Sequence, residues 1–359
     1  MPSVRVAAAA ALALLAQACG SPPRVTAPVV DPCALSTTAL VEDVSSVTTV
    51  VGDGTAASCT GQALVNAVEQ SPGVITFACG PDPVTIVVPS TARIFNRVAG
   101  RDVQRVVIDG GGKVTLSGGG VRRILYMSTC DPALTWTTPR CDDQQWPQLT
   151  VQNITFVDGS STGVSDGTGG GGAIYAGGGR FKAVNAKFFR NQCKPTGRDE
   201  AGGAVRAFEQ WQGLPAQVAG CTFGGTGTGQ GANSCSNGAG LGSIGVSWTV
   251  VDSVFTGNTA TGSGANPAQP GTPGGGSGAA IYNDGNTMTL GLCRAQMTGN
   301  HANEGGGAVF FVSNDRTGHL AITDSVLSGN QSAGFETAGY PGIFYLGAGA
   351  PTVTGSTIQ

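Results

Sequence analysis

Residues 169–191, GGGGAIYAGGGRFKAVNAKFFRN, form the unit from which most of this chain is built. The unit has a glycine run, a short apolar segment at residues 173–175, a glycine turn, a second apolar segment and a Phe-x-x-Asn ending at Phe188 and Asn191. Similar units return at residues 202–223, 238–258, 278–300, 306–330 and 341–358. The chain is therefore an array of repeats.

Aligning the repeats places apolar residues in columns. A column of large residues contains Phe156, Phe188, Phe223, Phe255, Met297, Leu327 and Ile358. Five positions earlier in each repeat stands an aliphatic column of Val151, Ala183, Val218, Val250, Leu292, Ile322 and Val353. A third column begins the repeats and contains Ile174, Val205, Leu241, Ile281, Val309 and Ile343.

The spacing within and between these columns predicts the fold. Apolar residues at alternating positions indicate strands with one buried face. A repeat of roughly 30 to 40 residues is typical of a solenoid, in which each unit buries its apolar face only by stacking on its neighbours. We therefore predict an all-β protein, a single right-handed parallel β-helix with one coil per repeat.

The pairing of Gly-Gly-Ala-Ile with Phe-x-x-Asn resembles the passenger repeats of the chlamydial polymorphic outer-membrane proteins. More broadly, it is similar to the pectin-lyase-like right-handed parallel β-helix superfamily, over about residues 50–359. The resemblance implies the fold, but adhesins, polysaccharide lyases, hydrolases and phage tailspikes all share it. Chlamydial members end in a membrane barrel, which we do not expect here because no barrel-like strands follow the last repeat.

The N-terminal residues predict export. Residues 1–18 have the features of a signal peptide, with Arg5 before an apolar core and Ala16-Gln17-Ala18 as a small-x-small cleavage site. Cys19 follows directly, which resembles a bacterial lipobox and predicts a lipidated N-terminus, with ordinary cleavage after Ala18 as the alternative. We expect an outer-membrane or cell-surface lipoprotein held by its lipid anchor only, or otherwise a secreted or periplasmic protein.

Two further segments precede the repeats. Residues 19–55 are rich in Pro, Ser, Thr and Val and predict a tether, with the β-helix domain at residues 56–359. Residues 60–70, TGQALVNAVEQ, carry an apolar stripe of Leu64, Val65 and Val68 behind a potential N-cap at Thr60. We predict a short helix here that caps the N-terminal end of the solenoid.

The ten cysteines fit an oxidising compartment. Their positions predict three disulfides, which join Cys59 to Cys79, Cys130 to Cys141 and Cys193 to Cys235. Cys221 falls in a column of small inward residues, where a free thiol packs as a small hydrophobe. Zinc is the alternative, but the sequence has no Cys-x-x-Cys pair. Cys33 and Cys293 are left unassigned.

Composition and motifs argue against several functions. The net charge of −3 provides no basic surface, so we expect no nucleic-acid partner. The related hydrolases use Asn-Thr-Asp, Asp-Asp and Gly-His-Gly motifs, whereas here Asp142-Asp143 lies in an insertion and His319 precedes Leu320. No catalytic residue and no cofactor are predicted, although a surface Ca²⁺ site near Asp158 and Asp166 remains open.

One column suggests a binding surface. The residues that follow the first inward aliphatic of each repeat are Tyr175, Arg206, Gly242, Tyr282, Phe310 and Phe344. Strand alternation predicts that they point outward. A stack of aromatic rings with one arginine can bind sugars or a partner chain. The alternative is a ladder that only stabilises the sheet, or one that loops cover.

These patterns favour a cell-surface protein that acts in adhesion or contacts a glycan without catalysis. Its expected partner is a polysaccharide or a surface protein, and its oligomeric state is not predicted. The alternative is a polysaccharide lyase or glycoside hydrolase that acts on an extracellular polysaccharide. A purely structural envelope protein is a third hypothesis.

Overall fold

A computed structural model describes residues 31, 33–134 and 137–359. The predicted signal peptide and Cys19 lie outside the described residues. The described residues from 33 onward belong to one compact unit. Within them, no helix combines the length and the apolar character that crossing a bilayer requires.

Three long sheets of parallel strands form a parallel β-helix, as the repeats predicted. Sheet 1 has ten strands: Thr49–Val51, Val74–Phe77, Arg105–Asp109, Gln148–Gln152, Arg180–Val184, Ala216–Ala219, Trp248–Val251, Thr289–Cys293, His319–Thr323 and Thr352–Thr354. Sheet 2 has nine: Val84–Val87, Val114–Ser117, Thr155–Val157, Lys187–Phe189, Thr222–Phe223, Val254–Thr256, Gln296–Thr298, Val326–Ser328 and Thr357–Ile358.

Sheet 3 completes each coil with eight strands: Ala92–Ile94, Leu125–Ser128, Ile174–Gly177, Val205–Phe208, Leu241–Ile244, Ile281–Gly285, Val309–Ser313 and Ile343–Leu346. A short corner sheet contains Ser234–Cys235, Thr259–Ala260, His301–Ala302 and Gln331–Ser332. Arg97–Val98 pairs antiparallel with Arg101–Asp102. Short 3-10 helices span Thr37–Ala39, Ala56–Ser58, Pro132–Leu134, Cys141–Asp143 and Trp211–Gly213.

The predicted inward columns form the core of the β-helix, except in the last coil, where Val353 is 37% exposed and Ile358 is half-buried because no further coil covers them. Strand pairing places Phe156, Phe188, Phe223 and Phe255 in successive register. All four rings are fully buried, and their centroids lie 5.1, 4.8 and 4.6 Å apart along the stack. These distances match the spacing of neighbouring strands, so burial and ring stacking act together in this column.

The turn from sheet 1 to sheet 2 repeats one backbone conformation. Its residues have positive φ in every aligned repeat: Asn153 (49°), Asn185 (51°), Gly220 (62°), Asp252 (51°), Arg294 (49°), Asp324 (47°) and Gly355 (60°). Asn, Asp and Gly adopt this region at low cost, which explains their recurrence. The exception, Arg294, donates to both carboxylate oxygens of Asp252, at 2.6 and 2.9 Å.

An asparagine ladder, made of Asn191, Asn233, Asn258, Asn300 and Asn330, runs through the buried corner after sheet 2. The Nδ2 of each of the first four donates to the Oδ1 of the next residue over 2.8–3.0 Å. Each Nδ2 also donates to a backbone carbonyl of an earlier coil, as Asn258 does to Phe223 at 3.0 Å. Four of these asparagines stand three residues after a member of the large apolar column, whereas Asn233 lies ten residues after Phe223 and could not be found from the motif.

Helix α1 (Gly61–Gln70) closes the N-terminal end of the core, as predicted. Leu64, Val65 and Val68 are buried, and the hydroxyl of Thr60 accepts from the backbone N–H of Ala63 at 3.1 Å. The helix packs against Ala92–Ile94 of sheet 3. Sheet 1 begins before the helix, however, with Thr49–Val51 paired to the second strand. The predicted domain start at residue 56 is therefore too late.

The described part of the predicted tether does not extend away from the solenoid. Residues 33–48, here called the N-terminal strap, lie against sheet 1. Glu42 forms ion pairs with Lys182 and Arg105, and its backbone exchanges two hydrogen bonds with the Gln152 side chain. A disulfide joins Cys33 to Cys293. The tether prediction is wrong for these residues, because polar and covalent contacts from distant repeats hold them.

The three predicted disulfides, Cys59–Cys79, Cys130–Cys141 and Cys193–Cys235, are all present. The Cys33–Cys293 disulfide was not predicted. Cys221 is a free thiol buried in the core, and burial raises its pKa to about 12. It therefore packs as an apolar side chain, as its column indicated.

Candidate functional site

The predicted outward column lies on the outer face of sheet 3, in the expected register. Tyr175, Arg206, Gly242, Tyr282, Phe310 and Phe344 pair in that order. The expectation that they are exposed is wrong. Tyr175 is 7% exposed, Arg206 2%, Tyr282 1% and Phe310 2%, and only Phe344 is half-buried. Loops cover the column, which was the alternative hypothesis.

The C-terminal part of the column, Tyr282, Phe310 and Phe344, is a closed aromatic cluster. The ring centroids of Tyr282 and Phe310 lie 4.9 Å apart, and those of Phe310 and Phe344 lie 5.2 Å apart. Phe335 packs edge-on against Phe310 and Phe344. Asn266, from the long glycine-rich loop, donates to the Tyr282 hydroxyl at 2.9 Å. These ring faces are not available to a ligand, so this part of the column stabilises the sheet.

Beside the N-terminal end of the column lies a second buried arginine, Arg123, which is well paired. Arg123 donates to Asp166 at 2.8 Å, to Thr168 at 2.7 Å and to the carbonyls of Gly170 and Gly171 at 2.7 and 3.0 Å. Its guanidinium carbon also lies 5.3 Å from the ring centroid of Tyr175. Such pairing is what a buried cation requires to be stable.

Arg206, one coil further, is buried without such partners. Its Nε and Nη1 atoms are buried and have no hydrogen-bond partner in the described part of the chain. Two carboxylates that act electrostatically on Arg206 form ion pairs with other residues, since Asp199 contacts Arg198 at 3.2 Å and Glu200 contacts Lys194 at 2.9 Å. Burial lowers the pKa of the Arg206 guanidinium. An unpaired buried cation is costly, and buried groups of this kind cluster at functional sites.

Arg206 lines a cavity of about 450 Å³. Arg206, Tyr175 and Phe208 form part of its floor on sheet 3. Its walls come from three loops and contain residues 167–169, Asp199, and Cys130 and Asp142 of the disulfide-linked insertion. The volume lies within the range of small-molecule sites, about 300–1,000 Å³. A concave surface with apolar rings and convergent polar groups is what such sites share.

The charges around this cavity are separated by depth. Arg206 lies at the floor, whereas Asp142 and Asp199 are exposed. Glu209 follows the floor strand, and burial, together with Asp142 and Asp143, raises the pKa of its carboxyl group. A ligand in the cavity would therefore meet a cation inside and hydrogen-bond acceptors near the opening.

The possible Ca²⁺ ligands are engaged elsewhere. Asp158 pairs with Arg190 at 2.7 Å, and Asp166 pairs with Arg123 at 2.8 Å. Among the described residues, no group of three His, Cys, Asp or Glu side chains is arranged to hold a metal ion. The two carboxylates thus face two different guanidinium groups rather than one cation site.

Sequence analysis found Tyr175 and Arg206 but missed the rest of the cavity. Arg123 precedes a strand as one of two adjacent arginines, and nothing in the sequence distinguishes it from exposed Arg122. Phe208, Asp142 and Asp199 lie in different repeats or insertions. Only the folding of loops over sheet 3 brings them together.

No protein-family model, no curated protein and no solved structure matches the chain. The fold therefore rests on the strand pairing described above.

Proposed function

We propose that this protein is an exported β-helix that contacts a glycan through the cavity at Arg206, without catalysis. The observation that carries the proposal is a buried, unpaired arginine in a cavity that also presents aromatic rings. Sugars bind proteins by stacking their apolar faces on such rings while polar groups fix their orientation. The ring of Phe208, which is 37% exposed, supplies that surface.

The repeats support membership of the pectin-lyase-like superfamily, which includes polysaccharide-binding proteins. The support consists of the Gly-Gly-Ala-Ile and Phe-x-x-Asn motifs together with the parallel β-helix they form.

Export is the second part of the proposal. Four disulfides among the described residues fit an oxidising compartment. Lipidation at Cys19 would hold the protein at the outer membrane or cell surface. Cys19→Ala should then move the protein from the membrane fraction to the soluble fraction, because the acyl chains are the proposed attachment. Unchanged fractionation would indicate ordinary signal cleavage.

A glycan array tests the binding function. The wild-type protein should bind a defined set of glycans, and Phe208→Ala should weaken that binding, because it removes an apolar surface of the cavity. Leu214→Ala is the matched control, since Leu214 and Phe208 are both 37% exposed and Leu214 does not line the cavity. Equal binding by both variants, or no binding by the wild type, would reject this site.

A polysaccharide lyase is the second candidate. In the superfamily that the repeats resemble, such enzymes use Arg or Lys as the base that removes a proton from the sugar ring. The lowered pKa of buried Arg206 favours this candidate. Lyase action leaves an unsaturated sugar, which absorbs ultraviolet light. Absorbance that grows with wild-type protein and not with Arg206→Gln would establish catalysis.

A further inference from the structure

We propose that the N-terminal strap is a disulfide-closed clasp, which couples the N-terminal coils of the solenoid to the eighth strand of sheet 1 and stops fraying from the C-terminal end at that strand. The strap lies on sheet 1 and the cavity at Arg206 lies on sheet 3, so the clasp does not depend on the proposed glycan contact.

The C-terminal coils are the part of the solenoid that is most open to fraying. Each coil contacts only its neighbours, so a terminal coil can unfold while the others stay folded. Helix α1 covers the N-terminal end of the core. In the last coil, by contrast, Val353 is 37% exposed and Ile358 is half-buried. Unfolding is therefore expected to start in the last coils and to proceed one coil at a time.

The strap contacts the strands of sheet 1 in reverse order, from the eighth to the third, and then leads into the first strand. Its contacts, in chain order, are the disulfide of Cys33 with Cys293, the packing of Thr37–Ala39 against Ala216–Ala219, and the ion pairs and hydrogen bonds of Glu42 with Lys182, Gln152 and Arg105. A single segment thus joins the first strand of the sheet to the eighth, whereas the strand ladder joins only neighbours.

The strap is docked firmly enough to transmit this restraint. Cys33 and Ala39 are each 2% exposed. The side chain of Lys182 is 12% exposed and donates to Glu42 and, at 2.9 Å, to the carbonyl of Leu40. Detaching the strap would expose its buried surface and break these charge-assisted hydrogen bonds, so the strap stays in place while single coils open.

The Cys33–Cys293 disulfide restricts the states in which the eighth strand opens. While the strap is docked, residues that unfold between the seventh strand, Trp248–Val251, and Cys293 form a closed loop instead of a free chain end. A closed loop gains less conformational entropy on unfolding, so the opening requires more free energy. The ninth and tenth strands lie beyond Cys293 and are not restrained in this way. The Cys193–Cys235 disulfide, which spans 42 residues, joins only neighbouring coils.

Hydrogen exchange of the full chain, followed by mass spectrometry at a low urea concentration, tests the clasp. Protection factors are compared between strands of one chain, because this comparison removes the general loss of stability that follows the removal of any disulfide. In the wild type, those of Arg105–Asp109 and Thr289–Cys293 should agree within about threefold, because the clasp makes the third and eighth strands open together. His319–Thr323, the ninth strand, should be at least about tenfold less protected than the eighth.

Cys33→Ala combined with Cys293→Ala should leave the eighth strand at least about tenfold less protected than the third, because the loop is no longer closed. Cys193→Ala combined with Cys235→Ala is the matched control and should leave these two strands equally protected. Melting temperatures show whether each variant folds. Glu42→Gln keeps both cysteines of the clasp and replaces the first variant if that does not fold. It should change the protection in the same direction, because the disulfide restrains the eighth strand only while the strap is docked.

Three results would overturn the inference. The first is equal protection of the third and eighth strands in the folded clasp variant. The second is the same loss of protection at the eighth strand in the control. The third is a wild-type eighth strand that is no better protected than the ninth.

Discussion

Asn258→Ala measures what the asparagine ladder contributes to the stability of the β-helix. Asn258 lies in the middle of the ladder and is fully buried. Its Nδ2 donates to Asn300 at 2.9 Å and to the Phe223 carbonyl at 3.0 Å. Its Oδ1 accepts from the side chain of Asn233 at 2.9 Å and from the backbone N–H of Asn233 at 3.3 Å. Alanine removes all four contacts.

The expected loss follows from these contacts. A buried hydrogen bond contributes a net of about 1 kcal/mol, so four contacts give roughly 4 kcal/mol. Asn300 Oδ1 keeps the backbone N–H of residue 258 as a donor, and Asn233 Nδ2 keeps the Phe188 carbonyl as an acceptor. The backbone N–H of Asn233 loses its acceptor, which makes the loss larger than the hydrogen bonds alone would suggest.

Urea unfolding followed by circular dichroism gives the free energy of unfolding. Asn185→Gly is the matched control, because Asn185 belongs to an exposed asparagine pair and donates one side-chain hydrogen bond, to Asn153 at 3.1 Å. Its φ of 51° suits glycine, so the control changes little else, and we expect a loss below about 1 kcal/mol. If both variants lost the same free energy, the buried ladder would not be the stabilising feature described here.

Three further predictions concern other parts of the fold. Phe255→Ala should lower the free energy of unfolding by about 3–5 kcal/mol, because the ring is fully buried, whereas exposed Val326→Ala should change it by less than about 0.5 kcal/mol; equal urea midpoints would contradict this. The raised thiol pKa and burial of Cys221 should prevent its alkylation by iodoacetamide at about pH 8 until urea unfolds the chain, as peptide mass spectrometry would show; labelling of the folded chain would contradict this. Burial raises the pKa of the Glu209 carboxyl group. There is therefore a pH range in which this carboxyl is protonated in the folded chain but ionised in the unfolded chain, and the free energy of unfolding falls as pH rises through that range. Glu209→Gln should therefore raise the melting temperature at neutral pH but not in acid, and an equal change at both would refute the assignment.

The inward side of the β-helix could be predicted from the sequence because it repeats. Phe188 and Phe255 occupy equivalent positions in two coils, and the apolar identity of such columns fixes which face of each strand is buried. A shift of one residue would place every member on the wrong face. The register of the whole solenoid therefore follows from a few columns.

The outer layer could not be predicted in this way, because it depends on contacts that do not repeat. Cys33 and Cys293 are separated by 260 residues, and no pattern near either cysteine indicates the other. Ala201 and Asn266 cover Tyr282 from two different loops. Loops of unequal length have no common register, so the burial of an outward residue depends on each loop separately.

The two arginines that interrupt repeat columns show what the sequence does reveal about a site. Arg294 stands in the Asn and Asp column of the turns, and Arg206 stands in the aromatic column of sheet 3. The strand register identifies the column neighbours of each arginine without any knowledge of the loop conformations. Arg294 lies one coil from Asp252, whose two carboxylate oxygens accept from its Nε and Nη2, so this outlier is paired within its own column.

Arg206 has Tyr175 and Gly242 as its column neighbours, and neither offers a negative charge. A charged residue in an otherwise uncharged repeat column does not by itself indicate a functional site, because an opposite charge in the same column of an adjacent coil can pair with it. It becomes informative when the adjacent coils carry no opposite charge, since the partner must then come from a loop or from a ligand. At Arg206 neither the column nor the surrounding loops of the described chain supply a hydrogen-bond acceptor to Nε or Nη1, so this outlier, unlike Arg294, is not paired within the fold.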